Sequence, residues 1–247
     1  MASDIGLGQT FLPADSYSTQ DHLNYISNFS TENLVKLNED KCNYMVFSRA
    51  KEDFATRLTI NNCKLVRIAV TKILGVWVSE DQSWDRNTKE MCRRAYSRMS
   101  MLTKLRYVGV TIEDLIDIYV LFIRSVTEYC ATAFHSSLTV EQATDIERIQ
   151  KTSLKIILGD SYVSYEAAME MSGLQTLHDR REKRCLEFAL RCLKHPINSR
   201  MFPLNNNQDR IDIRNREMFE VNFARTEKYR MSALPFCQRK LNTHFQS

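Results

Sequence analysis

Glycine and proline are both scarce, with 6 and 4 in 247 residues. A sandwich or barrel of short strands needs turn residues at regular spacing, so this poverty excludes a turn-rich all-β fold. Cysteine is present but unpatterned: seven residues, an odd number, with no C-x-x-C spacing. That excludes a secreted disulfide framework and predicts reduced, mostly buried thiols. Neither charge sign dominates, because 34 Lys+Arg oppose 30 Asp+Glu. A net +4 identifies no polyanionic partner by itself. Long hydrophobic runs are missing too. The most apolar stretch, Ile112 to Phe134, is interrupted by Asp114, Asp117, Arg124 and Glu128, whereas a membrane span needs about 20 apolar residues with few charges. The opening Met1-Ala2-Ser3-Asp4-Ile5-Gly6 carries neither a basic nor an apolar leader region. The expectation is an intracellular protein of cytoplasm or nucleus with no membrane partner.

What is present is an ordinary globular mixture, 43% hydrophobic and 26% charged, enough for one large domain or two small ones. Residues 1–17 show no period and are expected to be loop. Leu23, Ile26, Phe29 and Leu34 keep helical spacing, with Ser18 or Thr19 as the N-cap. Tyr44–Phe47 is expected to be a strand. Arg57–Ile60 and Lys64–Ile68 are expected to pair around Asn61-Asn62, and Ile73–Val78 is a third β run. These make a small mixed sheet over 41–79. Past residue 83 the period changes to helical, so the fold class is α+β: a small β piece over 18–83, then a helical bundle over 84–195.

The segment 84–106 carries seven basic and two acidic residues, a local +5. At 100° per residue, Trp84, Met91, Ala95, Met99 and Leu102 share one face, while Arg86, Lys89, Arg93, Arg94 and Lys104 share the other. Residues 112–134 are apolar nearly all round, as in a central bundle helix. Residues 139–158 put Ile146, Ile149, Ile156 and Ile157 inside and Arg148, Lys151 and Lys155 outside, and Gly159 ends them. Helices are expected over 164–172 and 176–194 and again within 232–242. The stretch 196–225 is Asn- and Arg-rich, expected to be extended or poorly ordered, in a basic tail over 196–247.

Catalytic constellations are absent. Two-metal phosphoryl transfer needs carboxylates converging on ions about 3.5–4 Å apart, and no Asp-Asp pair or apolar-flanked acidic pair occurs. The five histidines give no His-x-Asp and no finger-type spacing with cysteine. Gly6-x-Gly8 lacks its third glycine, so no nucleotide or methyl-donor loop follows.

Several phrases carry a resemblance. They are Asn33-Leu34-Val35-Lys36-Leu37-Asn38-Glu39-Asp40-Lys41 with Tyr44–Phe47, Lys72–Val78 with Trp84-Asp85, and Ala95–Leu105. Ile118–Ser125 running to Phe134–Leu138, and Glu147–Gly159, complete the set. In this order they resemble the reverse transcriptase of non-LTR (LINE-type) retrotransposons, from just after the catalytic centre to the end of the thumb, covering roughly residues 20–195. The resemblance implies a palm remnant with a primer-grip-like hairpin, then an α-helical thumb. The family's metal-binding aspartates have no counterpart here, and Phe29 stands where a palm Trp is usual. The implied chain is therefore a truncated RNA-directed DNA polymerase without polymerase activity, and the magnesium that the family uses finds no ligands.

The implied partner is an RNA–DNA or DNA duplex, bound weakly and without sequence preference. Lys72, Leu74 and Gly75 would belong to the primer-grip hairpin. Arg86, Lys89, Arg93, Arg94, Arg148, Lys151 and Lys155 would meet phosphates. Residues 34–85 also resemble a module named after the N-terminal region of an alkylated-DNA-repair protein, which would attract an oxidoreductase or methyltransferase label, although the signatures for that chemistry are absent. The alternative function is a helical interaction module, independent of nucleic acid, from a transposon-derived reading frame.

Overall fold

The computed structural model describes residues 19–35, 37–47, 58–205 and 218–246. The chain divides into two compact units, Met1–Arg86 and Asn87–Ser247, and its class is α+β.

Among the described residues of the first unit, helix α1 (Thr19–Glu32) precedes six short strands: β1 (Asn43–Tyr44), β2 (Thr59–Ile60), β3 (Cys63–Lys64), β4 (Val66–Arg67), β5 (Val70–Ile73) and β6 (Val76–Ser79). They do not form one sheet. Three separate two-stranded ladders result: β1 with β4 in parallel, β2 with β3 and β5 with β6 antiparallel. Asn61 and Asn62 make the expected turn, both with positive φ (48° and 62°), which asparagine tolerates better than most residues. The expected strand over 44–47 shrinks to Asn43–Tyr44. The run 73–78 is not one strand but the closing end of a hairpin that turns at Leu74 and Gly75 (φ 46° and 89°). Leu58, Ile60 and Leu65 are buried, with Leu23, Leu37 and Tyr44 packed around them. Gln20 of α1 clasps the β2 backbone, accepting from Thr59 N (2.9 Å) and donating to Thr59 O (2.8 Å). Ser18 and Arg57 lie outside the described residues, as do 1–17.

Helix α2 (Asp85–Tyr107) follows. Its expected face holds, with Met91, Ala95, Met99 and Leu102 buried, while Trp84 is half-buried just ahead of the first turn. The expected single helix over 112–134 is broken. It is α3 (Ile112–Ile118), a π-helical turn (Tyr119–Arg124), α4 (Ser125–Glu128) and, after Cys130 in the left-handed region (φ 56°), α5 (Ala131–Phe134). The wider turn buries Tyr119 and Ile123 and leaves Leu121 and Phe122 exposed. Helix α6 (Val140–Leu158) begins on a capping box: Thr139 Oγ1 accepts from Gln142 N (3.2 Å) and Gln142 Oε1 from Thr139 N (2.9 Å). It ends at Gly159 (φ 54°), where a Cβ would fall 1.6 Å from Arg106 Nη2. Any side chain there would evict the guanidinium that donates to Ile156 O at 2.6 Å and closes the helix end.

Helices α7 (Tyr165–Ser172) and α8 (Leu177–Leu193) start on Ser164 and Thr176 caps. The stretch expected to be extended is partly built into the core. Leu204 and Phe219 bridge, and Phe202 and Phe219 pack with Cys185, Cys192, Cys237 and Leu241. Aromatic side chains spaced along an otherwise polar segment supply that anchorage; residues 206–217 lie outside the described set. Short α9 (Glu227–Arg230) and α10 (Ala233–Gln246) close the chain. Only Cys185, Cys192 and Cys237 of the seven free cysteines are buried, against the expectation that most would be. Among the described residues, no helix is long and apolar enough to cross a membrane.

A polar seam ties α6 to its neighbours. Gln150 is fully buried; its Oε1 accepts from Tyr119 Oη (2.8 Å), and its Nε2 donates to Tyr165 Oη (2.9 Å) and Gln175 O (3.0 Å). Glu147 accepts from Tyr165 Oη and from Leu177 N (3.1 Å) and His178 N (3.3 Å), capping α8 from outside its own chain segment. A satisfied buried amide stabilises little, but its removal strands its partners. Gln150→Leu is expected to cost about 2 kcal/mol, read as a lower urea midpoint; an unchanged midpoint would show that the seam is energetically neutral.

Candidate nucleic-acid interface

Four of the ten residues singled out from sequence lie in the first unit. Lys72 sits opposite Trp77 across the β5–β6 ladder, its Nζ 6.0 Å from the ring centre, and Arg86 places its guanidinium 4.9 Å from the same ring. Leu74 and Gly75 form the tip of that hairpin, with Leu74 exposed. The structure therefore gathers two cations and a turn around one indole.

The other six lie in the second unit, where α2 and α6 run side by side and parallel. Ala95, Met99 and Leu102 of α2 share a core with Ile149 and Ile157 of α6, the Asp145 charge bears on Cys92 and that of Arg148 on Tyr96, and Arg106 donates to Ile156 O, so partners advance along both helices in the same direction. Burial, with the Asp145 charge, pushes the Cys92 thiol up to about 11, which keeps it protonated at neutral pH. Lys89 and Arg93 border the seam on α2, and Arg148, Lys151 and Lys155 continue it on α6, all exposed. Arg94 does not join them. At 100° per residue it lies roughly 160° round α2 from Tyr96, and it is half-buried. Two of the cations hold local partners: Arg93 pairs with Glu90 (3.0 Å) and Arg148 with Asp145 (2.6 Å). Exposed pairs of this kind are worth about 0–1 kcal/mol, so a phosphate can displace them. Lys155 lies 5.4 Å from the Tyr162 ring centre.

Two clusters escaped the sequence reading. The first is a buried carboxylate, Glu128, held by three guanidiniums: Arg180 in bidentate fashion (2.5 and 3.2 Å), Arg184 (2.6 Å) and Arg124 (3.6 Å). Burial alone would raise the Glu128 carboxyl, but the hydrogen bond and charge of Arg180, with Arg184 and Arg124, hold it below the ordinary carboxylate range. Only the i,i+4 spacings Arg124/Glu128 and Arg180/Arg184 were legible in advance. The second cluster is His135, His178 and Glu182, whose ligand atoms lie within 4.8 Å of one another, the one such metal-ligand group among the described residues. Two of its three members already hold cations. Arg181 Nε, on a fully buried side chain, donates to His135 Nδ1 (3.4 Å), and Lys240 bonds Glu182. A divalent ion would compete with both cations for these side chains, so the group is read as an ion-pair cluster at the surface edge.

No family model matches the chain, and no curated protein or solved structure matches it either.

Proposed function

We propose that the chain binds duplex nucleic acid non-specifically through the joined α2/α6 surface, as a palm–thumb piece resembling non-LTR reverse transcriptases and lacking their catalytic carboxylates. The observation that carries this reading is the parallel apposition of the two helices. Arg148 lies near Tyr96, and helical spacing sets the exposed Lys89 and Arg93 on the Tyr96 side of α2 and the exposed Lys151 and Lys155 on the Arg148 side of α6, which supports reading the five as one strip. Separate helical faces with the same charges would be ordinary solvated surfaces; a continuous strip offers cations along a phosphate backbone. The side chains address phosphates and not base edges, so binding is sequence-tolerant.

The test is titration of a labelled RNA–DNA hybrid at several salt concentrations. Four phosphate contacts give a slope of log affinity on log salt near roughly −3 to −4, with dissociation constants about 10⁻⁴–10⁻⁶ M at physiological salt. Arg93→Glu with Lys151→Glu should abolish the binding. Equal binding by both proteins, or none by wild type, leaves the nucleic-acid-independent helical module as the reading.

A further inference from the structure

The second unit buries one cation whose hydrogen bonds are incomplete. Arg181 stands on α8, and its side chain is fully shielded from solvent. Of its nitrogens, Nε is satisfied, donating to His135 Nδ1 at 3.4 Å. The terminal pair, Nη1 and Nη2, has no hydrogen-bond partner among the described residues. A guanidinium keeps its charge across the pH range of a folded protein, and a buried charge left uncompensated is strongly destabilising. Orphaned buried donors are rare and call for a water or an ion. The carboxylates whose charge bears on Arg181, Glu147 and then Glu128, are committed elsewhere. Glu128 accepts twice from Arg180 and pairs with Arg184 and Arg124, which engages the roughly four lone-pair sites of a carboxylate. Glu147 accepts from Tyr165 Oη and from the N–H groups of Leu177 and His178. The other groups that feel the Arg181 charge are the thiols of Cys185 and Cys92. Cys185 is raised by Cys237 and by burial, Cys92 by burial, so both stay protonated at neutral pH and offer weak S–H donors.

We propose that the two terminal nitrogens of Arg181 hold a chloride ion inside the helical unit. A water on those nitrogens would need acceptors for its own hydrogens, and the Glu128 oxygens and His135 Nδ1 are already engaged. A halide needs donors alone. A phosphate would bring further oxygens to satisfy and more charge to dehydrate. A monatomic, monovalent anion meets both N–H groups and neutralises the guanidinium at the least dehydration. Being fully buried, Arg181 is distinct from the exposed cations of α2 and α6. The site therefore goes beyond the duplex reading and stands or fails separately from it.

The experiment is thermal melting of the full chain in mixtures of sodium chloride and sodium gluconate at constant ionic strength, with bulky gluconate as the non-binding anion. Tm should rise with chloride, by roughly 3–5 °C for each tenfold increase above the dissociation constant. Arg181→Met replaces the guanidinium by an apolar chain and should melt at one temperature in every mixture. Arg93→Glu/Lys151→Glu changes exposed cations only and should keep the wild-type dependence. Wild-type melts that ignore chloride overturn the proposal. A chloride dependence that survives in Arg181→Met, or disappears in the Arg93/Lys151 variant, overturns it too, because the anion would then sit elsewhere. If Arg181→Met does not fold, anomalous scattering from wild-type crystals grown in bromide decides. Bromide within hydrogen-bond reach of both Nη atoms supports the site; bromide at surface cations alone, or a water on Arg181, overturns it.

Discussion

Glu128→Ala is expected to be the most damaging single substitution in the second unit, with a loss of about 3–5 kcal/mol. The carboxylate is buried and stands between Arg124, Arg180 and Arg184. Replacing such a group by well-packed apolar residues together with its partners is often harmless, but removing one sign alone leaves the others uncompensated in a medium that solvates them poorly. Burial and the neighbouring Arg180 already lower the Arg124 guanidinium from its ordinary value, which records the strain held in check by Glu128. For a domain of this size the loss corresponds to a fall in Tm of roughly 6–20 °C. A double substitution, Glu128→Ala with Arg124→Met, should recover part of it, because fewer cations are stranded. Thermal melts of the three proteins decide the matter; a Glu128→Ala melt within a degree or two of wild type would mean that solvent, and not the arginines, satisfies the carboxylate.

His135 should make the fold acid-labile over a defined window. Burial, then the charges of Arg181 and His178, push its imidazole down to about 4; Lys240 adds to this and Glu182 opposes it. Its unfolded value is about 6.5. The unfolded chain therefore binds a proton at a higher pH than the folded chain does, and folding stability rises with pH between the two values. The contribution is complete above about pH 6.5 and is lost as pH falls toward 4, in total about 3 kcal/mol. His135→Gln retains an acceptor for Arg181 and cannot titrate. Urea midpoints measured from pH 7.5 to 5 should fall for wild type and stay nearly level for His135→Gln; parallel slopes would show that other groups carry the acid sensitivity.

What could be read in advance followed from local rules. The stop at Gly159 and the apolar face of α2 are each set within one or two helical turns, and each is visible as spacing. The break at 119–130 was hidden because a segment apolar on every side has no period to interrupt. A π turn and a left-handed Cys130 leave no mark there. The ladders of the first unit fell short of a sheet because strand pairing is decided by partners distant in sequence, which alternation alone does not specify. For the interface, the ten candidate residues came from charge periodicity and resemblance. Periodicity named the exposed cations of α2 and α6 and sets Arg94 far round the helix from Tyr96, yet it could not show that the Tyr96 side is the one next to α6. The Glu128 and His135 clusters join residues 46 to 56 positions apart. No sequence window contains them.

The parallel course of α2 and α6 has a consequence for when their joined surface can exist. Antiparallel neighbours can be joined by a tight turn and can zip together as soon as both are made. Parallel neighbours cannot, and here 32 residues, Val108 to Thr139, must carry the chain back to its starting level. Closing a loop of that length is cheap in entropy but slow relative to local helix formation. The strip around Tyr96 is therefore a late product of folding, assembled only after α3 to α5 have turned the chain round. A nascent chain still short of α6 presents the basic face of α2 without that of α6.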